Sequence, residues 1–430
     1  MKKHLLALSA AAVLLAPNAV GAEGFSINEW SAEGFGMGGA RMFAENDAAN
    51  MAYNPASLTK IKGEVAKISA TYISPHGKYK TYNTDRGAVV TGEKVSQGHN
   101  RVHPAWAPGM YYAKQLNDKE FIGFGSYARF GNSCQFEPGS MPGVNNTSSK
   151  VNGMSVGMNY AKKLDNKWSA SLGAEINYAW LQVDRTLPGI LSAANVQVEG
   201  ESYALGWNAA ANYAFDDKNE MGIVYRSAVN HSMEANVRNN VYMQKEGIGL
   251  SYTDAYGCVT LPESVMIGYG HKFNDKTRVE LNGTWTRWSR FDEFGIGFNG
   301  NPAAPNPKNW KDGWRYAIGV EHKLSDKYSL LGGIAYDESG IPDYHKAGDT
   351  LGADFMVPTG TRTTFTIGGQ YHDDKQTVAL TIGYMKVGEL FIEGDGLNSD
   401  HDKYANKFYD RAHMHDSYTK LVSISYQYNF

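Results

Sequence analysis

Long apolar runs are missing from this sequence. Beyond the first two dozen residues no stretch approaches the roughly 20 apolar residues that a membrane helix needs. Mean hydropathy is −0.44, so a membrane location has to be argued from pattern rather than from average hydrophobicity. Charge of one sign is missing too: a net charge of −3 over 430 residues gives no reason to expect nucleic acid or an acidic polymer as partner. Cysteine is nearly absent, with only Cys134 and Cys258 present. No nucleotide-binding motif, no GxSxG and no convincing nucleophile–base pair can be found, so neither an enzyme nor a cofactor is expected. Gly34–Gly39 fits GxGxxG, but no strand precedes it and no βαβ unit surrounds it. His401, His413, His415 and Asp416 could gather round a metal, yet a solvated loop outweighs that reading and no metal site is assigned.

What is present is export chemistry followed by strands. Lys2 and Lys3, the apolar run Leu5–Leu15 and the small residues Val20-Gly21-Ala22 form a signal peptide over residues 1–22. From about residue 64 onward, segments of about ten residues alternate apolar and polar, the period of a strand with two different faces. Val422, Ile424, Tyr426, Tyr428 and Phe430 share one face; Ser423, Ser425, Gln427 and Asn429 share the other. Trp168 to Trp180, Tyr203 to Phe215 and Trp314 to His322 repeat the pattern, with rings at segment ends where amphipathic aromatics sit at a membrane boundary.

The connections fall into two kinds. Six are tight and rich in Asp, Asn and Lys, at 117–119, 165–167, 216–218, 274–276, 325–327 and 373–375. They alternate with seven long polar stretches, near 75–105, 131–151, 183–202, 231–263, 289–311, 339–361 and 389–416. Short turns on one side and long loops on the other are the asymmetry of an outer-membrane barrel. Seven loops and six turns join fourteen strands, each of about 9–11 residues. The fold expected is therefore all-β, a 14-stranded antiparallel transmembrane barrel in the bacterial outer membrane, among its lipid and lipopolysaccharide. Cys134 and Cys258 both fall in the long stretches; in an oxidising compartment they are a disulfide candidate, with two free loop thiols as the alternative.

Residues 23–63 break the strand rule. They are rich in Gly and Ala, and Asn54-Pro55 interrupts any regular element. A barrel of this size is too wide for its own side chains to fill, so the segment is expected to form a hatch inside the lumen, with residues 64–430 as the barrel.

At this point the sequence resembles the FadL-type long-chain fatty-acid transporters of the outer membrane. Gly24-Phe25-Ser26-Ile27-Asn28-Glu29 and the Asn54-Pro55-Ala56 triplet carry the likeness. So do Leu261-Pro262-Glu263, Trp285 to Ser289, Trp310 to Arg315 and Gly333 to Ser339. The resemblance implies passive uptake of long-chain fatty acids or similar hydrophobic molecules, with aromatic hydrocarbons as a sibling reading; a surface adhesin is the alternative from a different class. It implies a capture groove between the third and fourth outer loops, for which Leu187, Ile190, Leu191, Tyr242, Met243, Ile248 and Leu250 are the apolar candidates, although loops packing on one another need the same residues. It implies Arg185, then Lys308 or Lys311, as partner for a carboxylate head group, and Phe25 as a gate. It implies an inward kink in strand three, placed here near Gly123 and Gly125, although Arg129-Phe130-Gly131 stands where relatives often have Pro-Phe-Gly.

Burying an acyl chain gains roughly 0.8 kcal/mol per CH₂, on the order of 12 kcal/mol for a C16 chain. Nothing in the sequence supplies energy to reverse that gain. Exit through a gap in the wall into equally apolar lipid avoids the need.

Overall fold

The computed structural model describes residues 24–137, 140–142, 147–187, 194–239, 251–298, 308–342, 353–393 and 409–430. Fourteen antiparallel strands close on themselves. They are β1 (Glu64–Asn83), β2 (Val95–His99, resuming as Ala105–Gln115), β3 (Glu120–Gln135), β4 (Ser148–Lys163), β5 (Trp168–Leu187), β6 (Ala194–Ala214) and β7 (Asn219–Arg226, Val229–Asn239). The second half holds β8 (Ser251–Leu261, Ser264–Lys272), β9 (Thr277–Thr286), β10 (Gly313–Lys323), β11 (Tyr328–Asp337), β12 (Arg362–His372), β13 (Gln376–Val387, Leu390–Glu393) and β14 (Tyr409–Asn429). Each strand pairs with the next, and β1 closes the ring on β14 from Val65↔Asn429 to Asn83↔Tyr409. Every strand thus has two neighbours, which removes the open edges that lipid cannot satisfy.

Alternation decides the faces. On β14, Val422, Ile424, Tyr426 and Tyr428 are exposed while Ser423, Ser425 and Gln427 are buried. The outer wall carries a broad band of exposed apolar side chains, as lipid requires, with Leu116, Leu164, Trp168, Phe215, Phe273 and Leu324 gathered beside the tight turns. All six turns share one device. The side chain of the first residue (Asn117, Asp165, Asp216, Asn274, Ser325 or Asp373) accepts from the backbone N–H of the lysine two residues on.

Two sequence-based expectations need correcting. Several strands are twice the predicted length: β1 and β5 have 20 residues, β6 and β14 have 21. Stretches that read as polar loops continue as paired strands, because backbone pairing persists where both faces are polar. The cysteines therefore stand on strands rather than in loops, and both are free. Cys134 is buried on β3, whereas Cys258 is exposed on β8, between the buried Thr-flanking position Val259 and the half-buried Gly257. Inward-facing Val259 and Leu261 put Cys258 on the outer face, so a bridge would require turning one strand over.

Residues 24–63 lie within the ring. They contain α1 (Ala32–Gly36, capped by Ser31), α2 (Asn50–Tyr53) and a 3-10 turn at Pro55–Lys60. Their polar groups bond inward side chains on opposite walls: Ala32 N–H to Ser425, Ala48 N–H to Gln427, Asn54 to Asn212, and the Gly38 carbonyl to Arg315. Gly38 has φ +64° and runs against Gly333 of β11, where an added Cβ would lie 2.2 Å from the Gly38 nitrogen. The GxGxxG look-alike is thus a close-packing device.

Candidate functional site

Three features define the interior. The first is an ion network that anchors the inner segment. Lys67 of β1 reaches Glu33 at 2.9 Å and Asp47 at 2.5 Å, and Arg41 pairs with Asp47 and Glu321 at 3.2 Å each. Arg278 joins Glu321 at 2.8 Å and Glu280 at 2.9 Å, and Glu280 accepts from the Met42 N–H at 2.6 Å. Burial alone would raise the Asp47 pKa, but Lys67 and Arg41 outweigh it and hold the group at about 2. On the opposite wall Arg226 donates to Glu175 at 2.5 Å and to the Ala52 carbonyl at 2.6 Å. Towards the tight turns lies a charged cavity of about 640 Å³, lined by Arg41, Lys272, Arg278, Glu321 and Lys323.

The second feature is a break in the wall. The β2–β3 ladder runs from Gln115↔Phe121 to Gly109↔Tyr127 and stops. Beyond it β2 stays with β1 (Ile73↔Ala105), and β3 stays with β4 through a register shift between Ala128 and Phe130. Arg129 is the extra residue of that bulge, which bends a strand and increases its twist. From Ala128 to Cys134 both faces of β3 are buried, so this half of the strand has turned into the lumen. Its freed edge is taken by the start of the inner segment: Ile27 N–H donates to the Arg129 carbonyl at 2.9 Å, and Gly131 N–H to the Phe25 carbonyl at 2.8 Å. Trp30 Nε1 donates to the Ala128 carbonyl at 2.8 Å. Main-chain contact between β2 and β3 resumes only at Arg101 N–H to the Gln135 carbonyl.

The third feature is an aromatic nest around Phe25. Its ring stands edge-on to Trp288 at 5.0 Å, Phe291 at 5.4 Å, Phe130 at 5.9 Å and Trp310 at 5.9 Å. Phe136, Phe355, Met356 and Ile341 extend the same apolar cluster. Gly24, at φ +64°, threads between the two indoles; a Cβ there would lie 2.5 Å from Trp310 Cζ3 and 2.9 Å from Trp288 Cζ2. The nest and the broken wall share one chain segment, since Phe25 fills the first while its carbonyl pairs with the second.

The profile of the outer membrane protein transport protein family (OMPP1/FadL/TodX) matches residues 13–430. The chain belongs to this family. Relatives include outer membrane protein P1 of Haemophilus influenzae, 26% identical over 90% of this chain and 91% of that one. The long-chain fatty acid transport protein of Escherichia coli K12 is 24% identical over 88% and 91%. Among solved structures, a Pseudomonas aeruginosa FadL homologue superposes with a TM-score of 0.80 at 18% identity, covering 94% of this chain and 99% of its own. The Pseudomonas putida toluene transporter TodX gives 0.67 at 14%, covering 94% and 99%.

As an OMPP1/FadL/TodX-family member the chain is an outer-membrane transport protein and not an enzyme. The residues singled out in the sequence are distributed unevenly over the structure. Phe25 is 2% exposed at the centre of the nest. Asn54 caps the 3-10 turn through Ala56 N–H, Pro55 begins it, and Ala56 packs on Met42 and Phe43. Lys308 is buried at the nest's edge but bonded to Asp354, and Lys311 is exposed, its N–H on the Gly340 carbonyl. Arg185 and Leu187 belong to the far end of β5, where only the backbone is described; Ile190, Leu191, Tyr242, Met243, Ile248 and Leu250 lie outside the described residues. Gly123 and Gly125 precede the bend rather than make it: a Cβ at Gly123 would lie 2.7 Å from Met51 Sδ, so Gly123 serves packing on α2. The irregularity sits at Arg129, in the tripeptide that departs from the family's pattern. Trp288 and Trp310 stand in segments that carried the resemblance, yet only packing shows that they flank Phe25.

Proposed function

We propose that this protein takes up a hydrophobic small molecule passively, holds it in the nest now filled by Phe25, and releases it sideways between β2 and β3 into the membrane. The carrying observation is the shared segment: Phe25 cannot leave the nest without disturbing the Phe25–Gly131 and Ile27–Arg129 bonds on the edge of the broken wall. In this reading residues 23–63 are the hatch. Straight passage down the lumen would take an apolar cargo through the Arg41–Glu321–Arg278 belt and the charged cavity beyond it, at a desolvation cost that lipid does not impose.

Relatives named for long-chain fatty acid transport make fatty acids one cargo class. A second class, ring-bearing and uncharged, is favoured here by the rings of the nest and by Lys308, whose charge is already matched by Asp354. Deleting Arg129 tests the route, because it removes the bulge and lets β3 stay in register with β4. Purified protein should still bind a fluorescent fatty acid or toluene, while cells accumulate the compound several-fold more slowly. Undiminished uptake with the bulge removed would refute lateral release.

A further inference from the structure

Buried indole N–H groups ordinarily find an acceptor. Trp288, 0% exposed, has none among the described residues, and neither has Trp310, 5% exposed. The orientation of Trp288 is informative. The atoms that approach Gly24 are Cζ2 and Cε2, and Cε2 is bonded to the indole nitrogen, whereas Cβ and Cγ face Gly340 on the opposite side. The part of the Trp288 indole next to its N–H therefore borders the Gly24–Phe25 segment that fills the nest. Trp310 presents Cζ3, its carbon edge, to the same point.

A second unmatched polar group borders the same cluster. His231 of β7 is 1% exposed, and neither ring nitrogen has a partner. Its neighbours on the same face, Val229 and Met233, line the cluster, as does Val259 directly opposite it on β8. A neutral imidazole offers one donor and one acceptor. Among the described residues the cations bordering the nest are, by contrast, engaged: Lys308 with Asp354, Arg129 with Glu175 at 3.2 Å, and Arg362 with Thr359 and the Gly24 carbonyl.

We infer that the nest selects an uncharged, ring-sized hydrophobe carrying one hydrogen-bonding oxygen, of the phenol class, with Trp288 N–H donating to that oxygen and His231 as the second neutral contact. This rests on the nest being the cargo site. A bare hydrocarbon leaves the buried N–H unmatched, and a carboxylate finds Lys308, Arg129 and Arg362 already bonded. A site built to bond an oxygen discriminates strongly against analogues that lack one.

Equilibrium binding to the detergent-solubilised full chain would compare three ligands of one shape, 4-methylphenol, toluene and 4-methylbenzoate, in wild type, Trp288→Phe and His231→Leu. Wild type should bind 4-methylphenol about tenfold more tightly than either other ligand. Trp288→Phe keeps an aromatic ring in the nest and loses the N–H, so most of that advantage should vanish while toluene affinity holds, which also reports that the variant is folded. His231→Leu should erode the advantage less. Equal affinity for 4-methylphenol and toluene in wild type, or an advantage intact in both variants, overturns the inference. Tightest binding of 4-methylbenzoate also overturns it, while leaving the nest as the cargo site. If none of the three binds and a fluorescent fatty acid does not bind either, the cargo-site reading fails and this one with it.

Discussion

Lys67 is the most consequential single charge in the lumen. It is 2% exposed and is shared between Glu33 at 2.9 Å and Asp47 at 2.5 Å, two carboxylates 14 positions apart in the inner segment and on either side of its glycine-rich turn. Lys67→Met preserves the length and apolar stem but removes the charge. Asp47 keeps Arg41; Glu33 keeps no ion pair within 4 Å among the described residues, only the longer-range field of Arg41. Stranding a buried charge in this way costs about 3–5 kcal/mol. At about 1.4 kcal/mol per factor of ten, opening of the segment should rise by roughly a hundred- to a few-thousand-fold. Hydrogen exchange of the detergent-solubilised protein measures this directly. Peptides covering residues 32–53 should exchange faster by that order, and peptides from β9 and β10 should not change. A companion variant, Lys67→Met with Glu33→Gln, removes the stranded charge and should recover most of the protection. Unchanged exchange in Lys67→Met, or a double variant as open as the single one, refutes the assignment of Lys67 as the anchor.

Two further outcomes follow from the same geometry. The Asp47 pKa is depressed from 3.8 to about 2, so its stabilisation is complete above about pH 4 and is lost as the pH falls towards 2; the protection of residues 41–53 relative to free-peptide exchange at the same pH should fall in that window and not above it. Gly24→Ala forces an alanine into the left-handed region, at about 1–2 kcal/mol, and drives its Cβ into Trp310. The Gly131 amide bonded to Phe25 should then exchange at least about tenfold faster, and an unaltered rate would show that Gly24 does not hold Phe25 in place.

The barrel itself was legible residue by residue. Ser423, Ser425 and Gln427 face inward and Val422, Ile424 and Tyr426 outward because a strand's side-chain period is local and needs no knowledge of its partners. The six turns were equally plain, since an Asn, Asp or Ser two residues before a lysine's N–H bonds within its own tripeptide. Strand ends are not legible where both faces are polar, and the choice between a bridge and two free thiols is not legible either: only the register Cys258↔Ser232 and the exposure of that strand face put the thiol outside.

The sequence alone determined which residues cross the membrane, how many times they cross and which face each side chain meets, because these depend on period two and on short turns. Tertiary structure alone decided what the lumen does. The Lys67–Glu33–Asp47 anchor, the Lys308–Asp354 pair, the freed edge of β3 taken by Phe25 and Ile27, and the unmatched N–H of Trp288 each join residues from 20 to more than 250 positions apart. Such contacts arise from the closure of the ring round its inner segment, and no local spacing encodes them.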